Sequence, residues 1–176
     1  MESKNLGDGE SIEEAMEKDT SDKIERGERE VVNCDVLVVG AGTGGFSAAM
    51  ASAREGANTC LFEETDWLGG MLTSGGVPAI DGRSDAASGI FKEIIDRVES
   101  YYASIGSADE IHNCQVSYLC FEPHIGDKIL KEMAEEEENL RIFYNSKAVT
   151  LYRNGDKVVG AKFVQNDEKT YVVNAN

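Results

Sequence analysis

Val36-Leu37-Val38-Val39 runs without a polar residue straight into Gly40-Ala41-Gly42-Thr43-Gly44-Gly45. Four consecutive apolar residues give a strand two nonpolar faces, which predicts a central strand of a parallel sheet covered on both sides. The glycines have G-x-G-x-x-G spacing, with Gly40, Gly42 and Gly45 in the three fixed positions. In such a turn the first glycine permits the reversal and the second lets backbone approach a ligand. The third lets the next helix pack closely on the strand. Small helix-compatible residues from Gly44 to Arg54, a stop at Gly56 and a second apolar run, Thr59-Cys60-Leu61-Phe62, complete a strand–helix–strand unit. The crossover of such a unit is right-handed in nearly all cases.

The chemistry of that turn is anion binding. A helix that begins there offers unpaired N–H groups and a partial positive charge, a seat for a pyrophosphate. Glu63 closes the second strand, close to the roughly 20-residue interval at which a carboxylate meets a ribose. A carboxylate there accepts hydrogen bonds from both ribose hydroxyls and repels a 2′-phosphate, so the pattern points to a dinucleotide and disfavours NADP. Glu64, on the other face of the strand, is expected to point to solvent.

The remaining chain divides at about residue 30. Residues 1–30 hold eleven acidic and five basic side chains and few apolar ones, which predicts a solvated, disordered leader. Ser11 and Glu14 have capping-box spacing for a short helix over 11–18. Residues 31–176 form the folded domain. The glycine-rich stretch 69–89 reads as loop, and apolar spacing predicts an amphipathic helix over 90–102. Residues 104–121 carry no clear periodicity. A helix starts at Pro123, and the acidic run Glu135 to Glu138 reads as its solvated end rather than a metal site. Arg141 to Tyr144 reads as a strand. Three β runs follow (148–153, 157–164 and 170–173), with Asn154-Gly155 predicting a type I′ hairpin turn between the first two.

Composition removes several function classes. Seventeen Lys and Arg against 33 Asp and Glu give a net charge of −16. That balance excludes sequence-independent nucleic-acid binding and docking on anionic lipid. No apolar run has the length of a membrane span, and the first residues lack the apolar core of a signal peptide, so a cytoplasmic setting is expected. Cys34, Cys60, Cys114 and Cys120 show no C-x-x-C spacing and read as buried reduced thiols. His112 and His124 belong to no catalytic triad or metal-ligand pattern. No catalytic residue and no metal site is identified.

The stretch from Cys34 through the glycine turn to Glu63-Glu64 resembles the N-terminus of FAD-dependent oxidoreductases with glutathione-reductase-type topology. The resemblance continues through Trp67-Leu68-Gly69-Gly70-Met71-Leu72-Thr73, Gly75-Gly76-Val77-Pro78, Gly89-Ile90-Phe91 and Phe121-Glu122-Pro123, and into the β runs from Ala148-Val149. It implies an α/β fold: a Rossmann-like parallel sheet with crossover helices plus a three-stranded antiparallel β-meander. The implied cofactor is FAD. Carried over, Gly40, Gly42, Thr43, Gly44 and Gly45 would contact the pyrophosphate, Glu63 the adenosine ribose, and backbone at Val149 the adenine edge. Gly69-Gly70 would let a loop run beside the cofactor, with Met71 and Thr73 toward the flavin end. The resemblance further implies an oxidoreductase acting on an unknown small-molecule substrate. The chain is expected to stop before the last FAD motif and the substrate domain. An exposed sheet edge, self-association, or a partner chain supplying the substrate domain would follow. Two other readings stand beside it: an NAD-binding dehydrogenase domain, and a non-catalytic remnant that binds nucleotide weakly or only a protein partner.

Overall fold

A computed structural model describes residues 1–17, 28–81 and 84–175. In chain order the elements are β1 (Glu2–Asn5), α1 (Ile12–Glu17), β2 (Arg29–Cys34), β3 (Val36–Val39), α2 (Thr43–Arg54) and β4 (Thr59–Phe62). They continue with β5 (Ala79–Ile80), α3 (Gly89–Ser104), β6 (Leu119–Cys120), α4 (Pro123–Glu135) and β7 (Leu140–Phe143). The last three are β8 (Ser146–Asn154), β9 (Lys157–Gln165) and β10 (Lys169–Ala175). β3, β4 and β7 form a parallel sheet in that order. A five-stranded sheet has the order β1-β8-β9-β10-β2, in which β8, β9 and β10 pair antiparallel in succession. Parallel strands β1 and β2 lie on its two edges.

The two apolar faces of β3 divide as its alternation requires. Val38 packs into the helical core with Phe46, Met50 and Leu61, while Leu37 packs toward the second sheet with Cys34, Cys60 and Phe62. One expectation is corrected: β3 is an edge strand, not a central one. Among the described residues it pairs only with β4, and Val39 is 53% exposed.

The two sheets are joined by aromatic stacking. The Phe62 ring lies 4.3 Å from Phe143 and 3.9 Å from Phe163, with Tyr171 edge-on at 5.7 Å. Stacked and edge-on rings at these separations suit the aromatic quadrupole and add to the burial of their large apolar area.

Three further expectations change. The leader is structured where it is described. Ser11 and Glu14 form the reciprocal capping box, at 2.9 and 3.2 Å. α1 then buries Ile12 and Met16 against Tyr152 and Val172. Those two residues, four apart on one helix face, find a ready apolar surface on the larger sheet, which composition alone does not reveal. Residues 18–27 of the expected leader lie outside the described residues. The hairpin between β8 and β9 turns on Gly155 and Asp156, since Asn154 pairs with Lys157. Consecutive positive φ values occur instead at Asn166 and Asp167, in the next turn. Finally, Cys114 and Cys120 are joined in a disulfide with Cα atoms 5.9 Å apart, so only Cys34 and Cys60 are free thiols. Cysteines six apart lack C-x-x-C spacing, but the loop between them brings their Cα atoms within disulfide reach.

A surface network fastens the helices. Arg54 bonds Glu93 and Glu137, and Arg97 bonds Glu93 and Glu136. Thus the acidic run after α4 is not merely solvated.

Phe62→Ala is expected to cost about 3–5 kcal/mol, the usual range for a buried aromatic truncation, read from urea denaturation. A loss below about 1 kcal/mol would mean the stack does not join the sheets. Arg54, then Arg97, hold the Glu93 carboxyl below its ordinary value of 4.5. A depressed carboxyl contributes stability that is full above 4.5 and lost as pH falls through its lower folded value. Glu93→Gln should therefore flatten the acid loss of stability below that pH, by no more than about 1 kcal/mol for so accessible a pair; an unchanged profile would remove Glu93 from the network.

Candidate cofactor site

The glycine turn sits at the carboxyl ends of the parallel strands, where an open α/β sheet leaves a crevice. Gly40 adopts φ +89° and donates to the Phe62 carbonyl at 2.7 Å. A side chain at Gly45 would place its Cβ 1.9 Å from the Gly40 carbonyl oxygen, so only glycine allows α2 to approach β3 this closely. A Cβ at Gly42 or Gly44 would meet nothing within 4 Å. The outer face of the turn is therefore open. No side chain caps the N-terminus of α2, whose first helical bond runs from Phe46 N to Gly42 O at 2.8 Å.

Glu63 is clamped onto this turn. Its Oε2 accepts from Ala41 N at 2.6 Å, and its Oε1 accepts from Thr65 N and Thr65 Oγ1, both at 2.9 Å. The side chain is half-buried, and Oε2, with a single donor, keeps lone-pair capacity for another. Glu64 is exposed, as expected.

The loop after Glu63 returns to the turn. Gly69 donates to the Ala41 carbonyl at 2.8 Å and forms an isolated parallel bridge with Gly42. A Cβ at Gly70 would lie 2.9 Å from Gly42 Cα, and both Gly69 and Gly70 have positive φ. Glycine is required there by backbone-to-backbone contact. Met71 is 70% exposed. Thr73 is buried, and its hydroxyl is spent on the Leu68 carbonyl, so it fastens the loop.

Val149 arrives from the other sheet. Ser146 N donates to Glu63 O at 2.8 Å, which sets the start of β8 against the end of β4. The β8–β9 register slips between Ala148 and Thr150, leaving Val149 without a cross-strand partner in that ladder. A bulge of this kind frees a residue's backbone groups for other work.

Sequence reasoning missed Asp127. This buried carboxylate accepts from Leu68 N at 2.8 Å through Oδ1 and from Lys131 Nζ at 2.7 Å through Oδ2. Lys131 also donates to the Asp66 carbonyl at 2.7 Å. Asp127 thus holds the middle of the loop from Glu63 to Gly70, directly at Leu68 and through Lys131 at Asp66. The available signal was an acid among the buried positions of an amphipathic helix, between Ile125 and Ile129. Beside the turn, a cavity of about 250 Å³ is lined by Thr43, Ser47, Leu72, Ala79, Ile80 and Phe91, among others.

Other chemistry-bearing groups stay apart. Cys60 lies at the opposite end of β4 from Glu63, with Arg141 Nη2 3.2 Å from its sulfur. The hydrogen bond from Cys34, then Arg141, lowers the Cys60 pKa. His112 meets the Tyr118 carbonyl at 3.1 Å, and His124 is exposed. Among the described residues no cluster of His, Cys, Asp or Glu could hold a metal ion, and no helix is long and apolar enough to cross a membrane.

Residues 35–176 match the sequence profile of the FAD-dependent oxidoreductases. The chain belongs to that family. Its cofactor is FAD, and the reading as an NAD-dependent dehydrogenase domain gives way. The chain is 40% identical over 57 residues to the probable fumarate reductase Ifc3 of Shewanella frigidimarina, covering 31% of this chain and 10% of that protein. It is 27% identical over 161 residues to the digeranylgeranylglycerophospholipid reductase of Picrophilus torridus, covering 78% of this chain and 36% of that one. The chain therefore spans 10% and 36% of the lengths of these two relatives. Among solved structures, GidA of Aquifex aeolicus has a TM-score of 0.51 at 24% identity, over 81% of this chain and 24% of that one. The p-nitrophenol 4-monooxygenase PnpA of Pseudomonas putida has a TM-score of 0.51 at 15% identity, over 83% and 40%. These likenesses show a shared fold.

Asp127→Ala leaves the Leu68 N–H without its acceptor in a buried place. It should cost about 1–3 kcal/mol, measured by chemical denaturation, and raise hydrogen exchange at Leu68 and Gly69. Unchanged exchange there would mean the loop is held by other contacts.

Proposed function

We propose that the chain is the FAD-binding portion of an oxidoreductase that moves hydride or electrons between a small-molecule substrate and FAD. The observation that carries this reading is the Glu63 carboxylate held 2.6 Å from Ala41 N, at the base of an open glycine turn and an uncapped helix. The residues fit the group. Backbone at Gly40, Gly42, Thr43, Gly44 and Gly45 would take the pyrophosphate, and Glu63 would accept from the adenosine ribose. The backbone at Val149, which has no partner in the β8–β9 ladder, would meet the adenine edge. Gly69 and Gly70 would carry the loop past the cofactor without a side chain in the way. FAD supplies the redox chemistry when bound, and the protein supplies position and charge.

The substrate-covering surface is inferred to come from further polypeptide, in the same chain or in a partner. The uncovered edge of β3 and the 36% span of the longer-aligned relative support this. A cytoplasmic setting belongs to the same proposal, with Cys34 and Cys60 as free thiols and the Cys114–Cys120 disulfide as the feature that such a setting has to accommodate.

Glu63→Gln keeps an oxygen for the Ala41 N–H but loses the charge and one acceptor. FAD affinity should fall by about 1–3 kcal/mol with thermal stability near that of the parent, followed by quenching of flavin fluorescence. Equal affinity in the variant would take Glu63 out of the ribose site.

A further inference from the structure

The segment between α3 and α4 holds a pair of groups that the cofactor site does not use. Cys114 and Cys120 close a short loop by their disulfide, and both are only half-buried. The tip of that loop faces water: Val116 is 80% exposed and Tyr118 42%. The pair thus lies in a loop open to water, in contrast to the buried Cys34 and Cys60.

One end of the loop is wired to the cavity beside the glycine turn. Cys120 lies in β6, opposite Ala79, and its neighbour Leu119 lies opposite Ile80. Ser117 Oγ donates to the Ile80 carbonyl at 2.5 Å, and Phe121 N donates to the Pro78 carbonyl at 3.1 Å. Ala79, Ile80 and Asp81 form one wall of that cavity, across from Thr43 and Ser47 of α2. β5 and β6 are two residues each and, among the described residues, pair only with one another. So short a ladder has little stability of its own, and the covalent closure of the loop supplies part of what holds Leu119 and Cys120 in register.

We propose that Cys114 and Cys120 form a reversible dithiol–disulfide pair, exchanging with low-molecular-weight thiols such as glutathione, that sets the rigidity of the β5 wall of this cavity. In the reducing direction a glutathione thiolate attacks one sulfur and the Cys114–Cys120 bond breaks. The other cysteine leaves as a thiolate and takes a proton. A second glutathione then resolves the mixed disulfide, giving two protein thiols and one glutathione disulfide. Oxidation runs the same steps backward, with glutathione disulfide accepting the two electrons. The proposal rests on the loop and the β5–β6 pair, not on the identity of the cofactor.

The test uses the full chain without added flavin, equilibrated in glutathione buffers of graded reduced-to-oxidised ratio. Alkylation under denaturing conditions counts two thiols in the oxidised chain and four in the reduced one. Hydrogen exchange is followed in parallel. Reduction should raise exchange by about tenfold both in residues 113–121 and in residues 78–81, while α2 remains unchanged. The double variant Cys114→Ser/Cys120→Ser should show the fast pattern at 78–81 at every ratio. A pair that stays oxidised in reduced glutathione overturns the proposal. So does faster exchange at 113–121 with none at 78–81, because the loop would then be uncoupled from the cavity wall.

Discussion

The contact on which the structure depends is the one between the Cα of Gly45 and the carbonyl of Gly40. With a Cβ position only 1.9 Å from that oxygen, α2 can sit where its first N–H groups face the turn. It reaches that place only because no side chain intervenes. The same closeness lets Phe46 and Met50 seal against Leu61 in the core. A single missing methyl group thus sets both the packing of the parallel layer and the electrostatics of the opening above it.

Everything else around the opening is tied back to that turn. Glu63 reaches Ala41 from one side, Gly69 reaches Ala41 from the other, and Asp127 fixes the loop between them from α4. The second sheet is brought in by the Phe62 stack directly before Glu63, and by the bond from Ser146 to the Glu63 carbonyl. The proposed ribose ligand is therefore next to a residue that welds the core, so a mutation at Phe62 disturbs the packing directly beside Glu63.

What the sequence made legible was local. The G-x-G-x-x-G spacing, the apolar run before it and the acid after the next strand each have a short-range physical cause, and the turn, α2 and β4 fall where those causes put them. The N-terminus of α4 follows from Pro123 in the same way. What stayed hidden depended on distant partners. Ile12 and Met16 are unremarkable until Tyr152 and Val172 offer a surface. The edge position of β3, the pinning role of Asp127 and the Cys114–Cys120 bond all need tertiary placement. Val149 is a halfway case: resemblance names it, and the register shift beside it in the β8–β9 ladder is visible only in the fold.

In the proposed function the turn, Glu63 and Val149 together form a seat for the adenosine diphosphate half of FAD. Calorimetric titration of the purified chain with FAD, NAD and ADP tests it most directly. FAD should bind most tightly, ADP should compete for the same site, and NAD should bind more weakly. Absence of binding by FAD and ADP, or NAD binding as tightly as FAD, would contradict it.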